Sequence, residues 1–131
     1  MAVGAILIKD NKILLVKRNK DPSKGRWAIP GGSVRLGERL QEAVEREIRE
    51  ETGLIVKAGD PVYTFDFIER DKGGRIRFHY VIIDLAADLV GGELHPSDDA
   101  IDARWVSPEE IEEVEATEST KAFLRKIRFI R

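Results

Sequence analysis

Gly32 to Leu54 reads GSVRLGERLQEAVEREIREETGL, and this stretch decides the fold. Turned at roughly 100° per residue, Leu40 to Thr52 predicts a helix on which Leu40, Ala43, Val44 and Ile48 form an apolar stripe. Glu47, Glu50 and Glu51 fall on or beside that same stripe, at i, i+3 and i+4 spacings that stack them one above the other. An ordinary amphipathic helix keeps its acids on the opposite face. Here the inward face turns from apolar to anionic about one turn before the helix ends. Close carboxylates repel each other and are costly to desolvate, so they protonate or take a counter-charge. A divalent cation with oxygen ligands supplies one. A solvated acidic helix end is the alternative, and these acids alone do not decide between the two.

The flanks narrow the choice. Pro30-Gly31-Gly32 lies just upstream, where proline fixes one φ and the glycines allow close backbone approach. Gly53 stands where a helix-ending glycine is expected, and Leu54 is placed for the apolar contact that accompanies such a stop.

At this point the chain resembles the Nudix hydrolase family. Gly32, Glu38, Arg46-Glu47-Ile48, Glu50-Glu51 and Gly53-Leu54 match the Nudix box, G-x5-E-x7-R-E-U-x-E-E-x-G-U with U apolar, at every defined position. So many constrained positions in one fixed frame are far more specific than a lone glycine pattern. Trp27-Ala28-Ile29-Pro30 before the box, and Arg104-Trp105-Val106 with Pro108-Glu109-Glu110-Ile111 near the end, are also similar to the family. The resemblance implies an α/β Nudix fold: a mixed β-sheet sandwiched between helices (α/β/α), carrying the loop–helix–loop of the box.

Composition is compatible with that. A chain of 131 residues fits one domain, 1–131, with a core that needs no staples. Apolar content of 42% with 35% charged residues describes a globular protein. A net charge of −2 gives no general case for nucleic acid or membrane binding. Cysteine is absent, which excludes disulfides, thiolate catalysis and cysteine-ligated zinc. No apolar run is long enough to span a bilayer, and the expected location is cytoplasmic.

Along the chain, Ala2 to Lys9 and Ile13 to Arg18 read as strands around an Asp10-Asn11 turn. Leu54 to Val56 and Val62 to Ile68 read as two strands separated by an Ala-Gly-Asp-Pro turn. Asp71-Lys72-Gly73-Gly74 is a hairpin signal. Ile76 to Leu85 then reads as a buried strand, with Ile76, Phe78, Tyr80 and Ile82 on one side. A loop is expected over residues 91–102, a last strand at Arg104 to Val106, a helix start at Pro108, and a closing helix from Thr120 to Ile130 with Phe123, Ile127 and Ile130 as its apolar line. Trp27 reads as a core plug and His79 as a packed or half-exposed strand residue.

Carboxylate-held hard cations bind phosphate oxygens and acidify bound water, so the residues themselves point to phosphoryl chemistry. The resemblance implies hydrolysis of a nucleoside diphosphate derivative to a nucleoside monophosphate and a phosphorylated remainder. It implies Mg²⁺, with Mn²⁺ as a substitute, held by Glu47, Glu50, Glu51 and the Gly31 carbonyl. It makes Arg46 the residue that orients Glu50, and Glu38 and Gly53 shapers of the loop–helix–loop. Asp99 is an additional candidate acid, and the general base is left open among it and the box glutamates. Arg18 and Arg35 are candidate phosphate contacts, although solvation is the ordinary fate of such side chains. Phe65, like Phe67, Phe78 and Tyr80, is core by default and at a cleft edge would stack on a base. A homodimer is a further family expectation. The general look is similar to small microbial ADP-ribose pyrophosphatases, so ADP-ribose or a related ADP-sugar leads, split to AMP and sugar phosphate. Many of those enzymes carry a proline where Glu69 and Arg70 stand here, which keeps (d)NTP or oxidised purine nucleotide hydrolysis as the runner-up. An inactive nucleotide-binding module is the third reading, and the intact box acids argue against it.

Overall fold

A computed structural model describes residues 1–97 and 100–130 of the chain. Strands β1 (Ala2–Ile6), β2 (Ile8–Lys9) and β3 (Lys12–Arg18) open it. Asp10 and Asn11 both adopt left-handed backbone, φ 52° and 59°, which is what a tight turn between β2 and β3 requires. Short strands β4 (Trp27–Ala28) and β5 (Gly31–Ser33) precede helix α1 (Leu40–Thr52). Two long strands follow, β6 (Leu54–Arg70) and β7 (Ile76–Gly92), then β8 (Ala100–Val106), a 3-10 turn (Glu110–Glu113) and α2 (Glu118–Lys126).

The strands form two sheets. One runs β5-β1-β7-β6 and is mixed, because β1 and β7 are parallel while the other pairs are antiparallel. In the other, β3 pairs antiparallel with β2, β4 and β8. Alternation divides the mixed sheet into two faces. Val3, Ala5 and Leu85 pack with Ala43, Val44 and Ile48 of α1. Gly4, Ile82 and Asp84 point the other way, toward a cleft. A second core joins Ile13, Leu15 and Val106 to Trp27, Phe123 and Leu124, so Trp27 is indeed a core plug. The α/β Nudix arrangement expected from the sequence is the one observed.

Several boundaries differ from the sequence reading. The two strands expected around Pro61 are one, β6, and the Ala-Gly-Asp-Pro segment is a bulge where the pairing register shifts between Ala58 and Tyr63. A bulge is where a strand tolerates proline. β7 also runs on to Gly92, and its outer half is not buried: Ile76 is 54% and Val81 39% exposed. That half pairs with β6 alone and overhangs the sheet. The last strand starts at Ala100, and the Pro108 region makes only a 3-10 turn. α2 starts earlier and stops sooner than expected: the Thr117 hydroxyl caps it by accepting from the Thr120 N–H. It ends at Lys126, so Leu124 carries the burial and Ile127 is 41% exposed.

Candidate active site

Helix α1 ends as its sequence requires. Gly53 takes φ 76°, and its N–H donates to the Arg49 carbonyl at 3.0 Å. The carbonyls that the last turn leaves open are met by the segment after β7. The His95 N–H donates to Thr52 O, the Ser97 N–H to Glu51 O, and the Ser97 hydroxyl to Glu50 O. This fixes the acidic turn against the mouth of a cleft of about 350 Å³.

The cleft lies on the face of the mixed sheet away from α1. Gly31, Gly32, Glu47 and Glu51 line one part of it, Phe65, Phe67, Tyr80 and Ile82 another, and Arg18 and Asp84 also reach it. Of the residues singled out from sequence, Gly31, Glu47, Glu51, Arg18 and Phe65 therefore share one cavity. Arg18 is steadied by its Nε, which donates to the Pro22 carbonyl at 2.6 Å. Glu50 and Arg35 do not line the cavity. They face each other outside it at 3.8 Å, with side chains 41% and 65% exposed. Asp99 lies outside the described residues. His79 is half-exposed and meets Asp66 at 3.1 Å.

Arg46 organises the acids. Its Nε and Nη2 grip both oxygens of Glu38 at 2.7 and 2.9 Å, and Nη2 also donates to the Ser33 carbonyl. Nη1 donates to Glu47 at 2.7 Å and to Glu50 at 3.3 Å. Such a fork is strong and geometrically selective. The Arg46 hydrogen bonds hold the Glu38 carboxyl down at about 2, and Glu38 in turn raises Arg46. Glu38 therefore joins the loop before α1 to the helix through a permanent ion pair. Gly32 packs against the same group: a Cβ there would lie 2.4 Å from the Glu47 carboxyl carbon, so any side chain would make the Glu47 carboxylate shift.

Among the described residues, no three acidic, histidine or cysteine side chains converge closely enough to hold a metal ion. Glu47 and Glu50 turn instead to Arg46, the nearest positive charge. The chemistry of the donors nonetheless fits a hard divalent cation. The set is all oxygen, it is anionic, Glu51 is 6% exposed, and Gly31 and Gly32 line the cavity with Glu47 and Glu51 without side chains of their own.

The NUDIX domain profile matches residues 1–127. The chain belongs to the Nudix family. Among curated proteins, an ADP-ribose pyrophosphatase of Methanocaldococcus jannaschii is 47% identical over 105 residues, covering 80% of this chain. This Nudix chain spans 60% of that relative's length. The nucleoside triphosphatase NudI of Escherichia coli K12 is 36% identical over 132 residues, covering 94% of this chain and 92% of its own. Among solved structures, a bifunctional NMN adenylyltransferase/ADP ribose pyrophosphatase from Francisella tularensis, complexed with AMP and a Mn ion, superposes with a TM-score of 0.72 at 26% identity. It matches 96% of this Nudix chain and 40% of its own. Nudix hydrolases generally depend on a divalent metal, which agrees with the donor set. Among the described residues no helix is long and apolar enough to cross a membrane.

The residue that sequence reading missed is Asp84. It is 3% exposed, and burial pushes its carboxyl up to about 7. The signal was present: carrying the Phe78, Tyr80, Ile82 alternation one step further puts this acid on the cleft face of β7.

Proposed function

We propose that this Nudix protein is a single-domain pyrophosphohydrolase that cleaves a nucleoside diphosphate derivative, ADP-ribose first among them, to AMP and a sugar phosphate. The observation that carries the proposal is one cavity lined both by Gly31, Glu47 and Glu51 and by the aromatic wall of Phe65, Phe67 and Tyr80. A pyrophosphate and a base need those two surfaces within the length of one nucleotide. The 47% identity to a protein named ADP-ribose pyrophosphatase supports ADP-ribose. Nucleoside triphosphate hydrolysis is the second reading, favoured by the near full-length match to NudI.

Mg²⁺ is the proposed metal, with Mn²⁺ as a substitute, and Glu47, Glu50, Glu51 and the Gly31 carbonyl would hold it. Bound there, it would neutralise charge on the pyrophosphate and acidify a water. The protein's own part is positional. Arg46 aims Glu47 and Glu50, Arg18 meets phosphate oxygens at the cavity wall, and Phe65 stacks the base. Arg35 is a second proposed phosphate contact, reached from outside the cavity beside Glu50. The general base is one of the box glutamates or Asp99. A cytoplasmic homodimer is the proposed state.

Purified protein is expected to release AMP from ADP-ribose when given Mg²⁺ and to stop when EDTA is added. Glu50→Gln and Glu51→Gln are expected to lower kcat by about 100-fold or more, the scale of a lost catalytic group. Equal turnover in both variants would remove these glutamates from the reaction.

A further inference from the structure

Asp84 is a buried acid, 3% exposed, that opens on the cavity and has no ion pair with the described residues. Its carboxyl is raised by burial alone: no hydrogen bond or neighbouring charge from the described residues contributes. Buried carboxyls are ordinarily paired, and an unpaired one is destabilising unless it has work to do. The fold also makes room for it. Gly4 is its neighbour across the β1–β7 ladder, and a Cβ on Gly4 would stand 2.3 Å from an Asp84 carboxylate oxygen. Any side chain at position 4 would displace the acid, so the glycine keeps the carboxyl at the cavity surface.

Its surroundings say what would meet it. Ile82 and Tyr80 precede it on the same face of β7, and Phe65 and Phe67 stand opposite those two on β6. All of them line the cavity with Asp84. The carboxyl thus follows the apolar and aromatic residues of β7 along the cavity, with Tyr63 opposite it on β6. Toward the other edge of the sheet, Gly4 pairs with Gly31 on β5. At the usual strand spacing that places Asp84 roughly 10 Å from the glycine end of the cavity, room for a pentose between.

We infer that Asp84 reads the nucleobase, accepting a hydrogen bond from the exocyclic amino group of an adenine stacked on Phe65, Phe67 and Tyr80. Stacking plus a polar contact to the base edge is a general way to select a base in a pocket. A site built around such a hydrogen bond rejects the analogue that lacks it, because its own buried group is then left unsatisfied. The inference rests on the proposed nucleotide chemistry, and it specifies which part of the substrate is recognised and by what.

The test compares AMP with the analogue bearing hydrogen in place of the 6-amino group. Binding is measured by calorimetry in EDTA, and kcat/KM for the matching diphosphoribose compounds with Mg²⁺. Wild-type protein is expected to prefer the amino-bearing compound roughly 10- to 100-fold, the worth of one hydrogen bond to a charged or strongly polar acceptor. Asp84→Asn, which retains an acceptor oxygen, is expected to keep the preference, and Asp84→Leu to lose it. Equal binding of the two compounds by wild-type protein overturns the inference, whether or not the leucine variant folds. So does a preference that survives in Asp84→Leu, or a kcat loss common to both substrates with binding preference intact. A base preference in binding without any hydrolysis would sink the proposed activity and leave Asp84 in its role. Hydrolysis with no preference would do the reverse.

Discussion

Arg46 touches three carboxylates and a carbonyl, and no other side chain in the acidic turn has comparable reach. A lysine would keep the charge but lose the planar fork that grips Glu38 with two parallel bonds. Arg46→Lys is therefore expected to lower kcat by roughly tenfold or more with a smaller change in KM, the size of effect carried by a group that orients metal ligands, as Glu47 and Glu50 are proposed to be. Steady-state kinetics on ADP-ribose checks it, and a change confined to KM would contradict a positioning role. Asp84 makes a prediction of another kind. Its folded carboxyl titrates at about 7 against an ordinary 3.8, so the folded chain holds a proton there that the unfolded chain has released. Stability is expected to fall as pH rises from about 4 to about 7 and to level off above, by at most about 4 kcal/mol. Asp84→Asn should flatten that slope and be the more stable protein at pH 8, read by urea unfolding at several pH values. The box residues were legible because their identities and spacings are fixed together. For Asp84, alternation gives the strand face, but its burial follows only from the ladder that sets Gly4 beside it. The outward turn of Glu50 was not legible: the positions three and four after Glu47 both adjoin it, and only packing against the sheet makes Glu51 the inward one.

At the scale of elements, α1 and its stop were readable from periodicity and one glycine, whereas strand lengths were not. Pro61 looks like a terminator in sequence, but a bulge absorbs it and the ladder resumes, so β6 is continuous. The overhanging half of the β6–β7 hairpin read as buried because its apolar residues alternate like a core strand. Exposure depends on whether another layer covers the strand, and local pattern carries no such information. The glycine at the end of α1 is more than a stop signal. Its φ of 76° is costly for any side chain, and a Cβ there would stand 2.6 Å from the Glu93 carbonyl. Gly53→Ala is expected to destabilise by more than about 1 kcal/mol, the cost of the left-handed conformation alone. Because residues 93–97 run beside it and cap the helix, the same change should speed amide exchange at His95 and Ser97. A thermal shift without any effect on those amides would separate the glycine from the cap.

For the whole molecule, the cleft proposed to receive the substrate is built where the mixed sheet meets the β3 sheet, with Val16 and Arg18 of β3 and Ile82 and Asp84 of β7 all lining it. Neither half of the cavity is complete by itself: the acids come from the end of α1, while the aromatic wall comes from β6 and β7. Acids gathered at one helix end repel, and Arg46 compensates only part of that charge. A cation that binds the folded chain and not the unfolded one must stabilise the fold by mass action. At a metal concentration of 100 times its dissociation constant the gain is about 2.7 kcal/mol. For a domain of this size that corresponds to a rise in Tm on the order of 10 °C. Mg²⁺ titrated into metal-free protein is therefore expected to raise Tm progressively, with Glu51→Gln showing little or none of the rise. Charge screening alone would raise both proteins equally and would respond to NaCl at matched ionic strength. An equal response of wild type and Glu51→Gln would mean that the acidic turn is stabilised by ionic strength and not by a held cation.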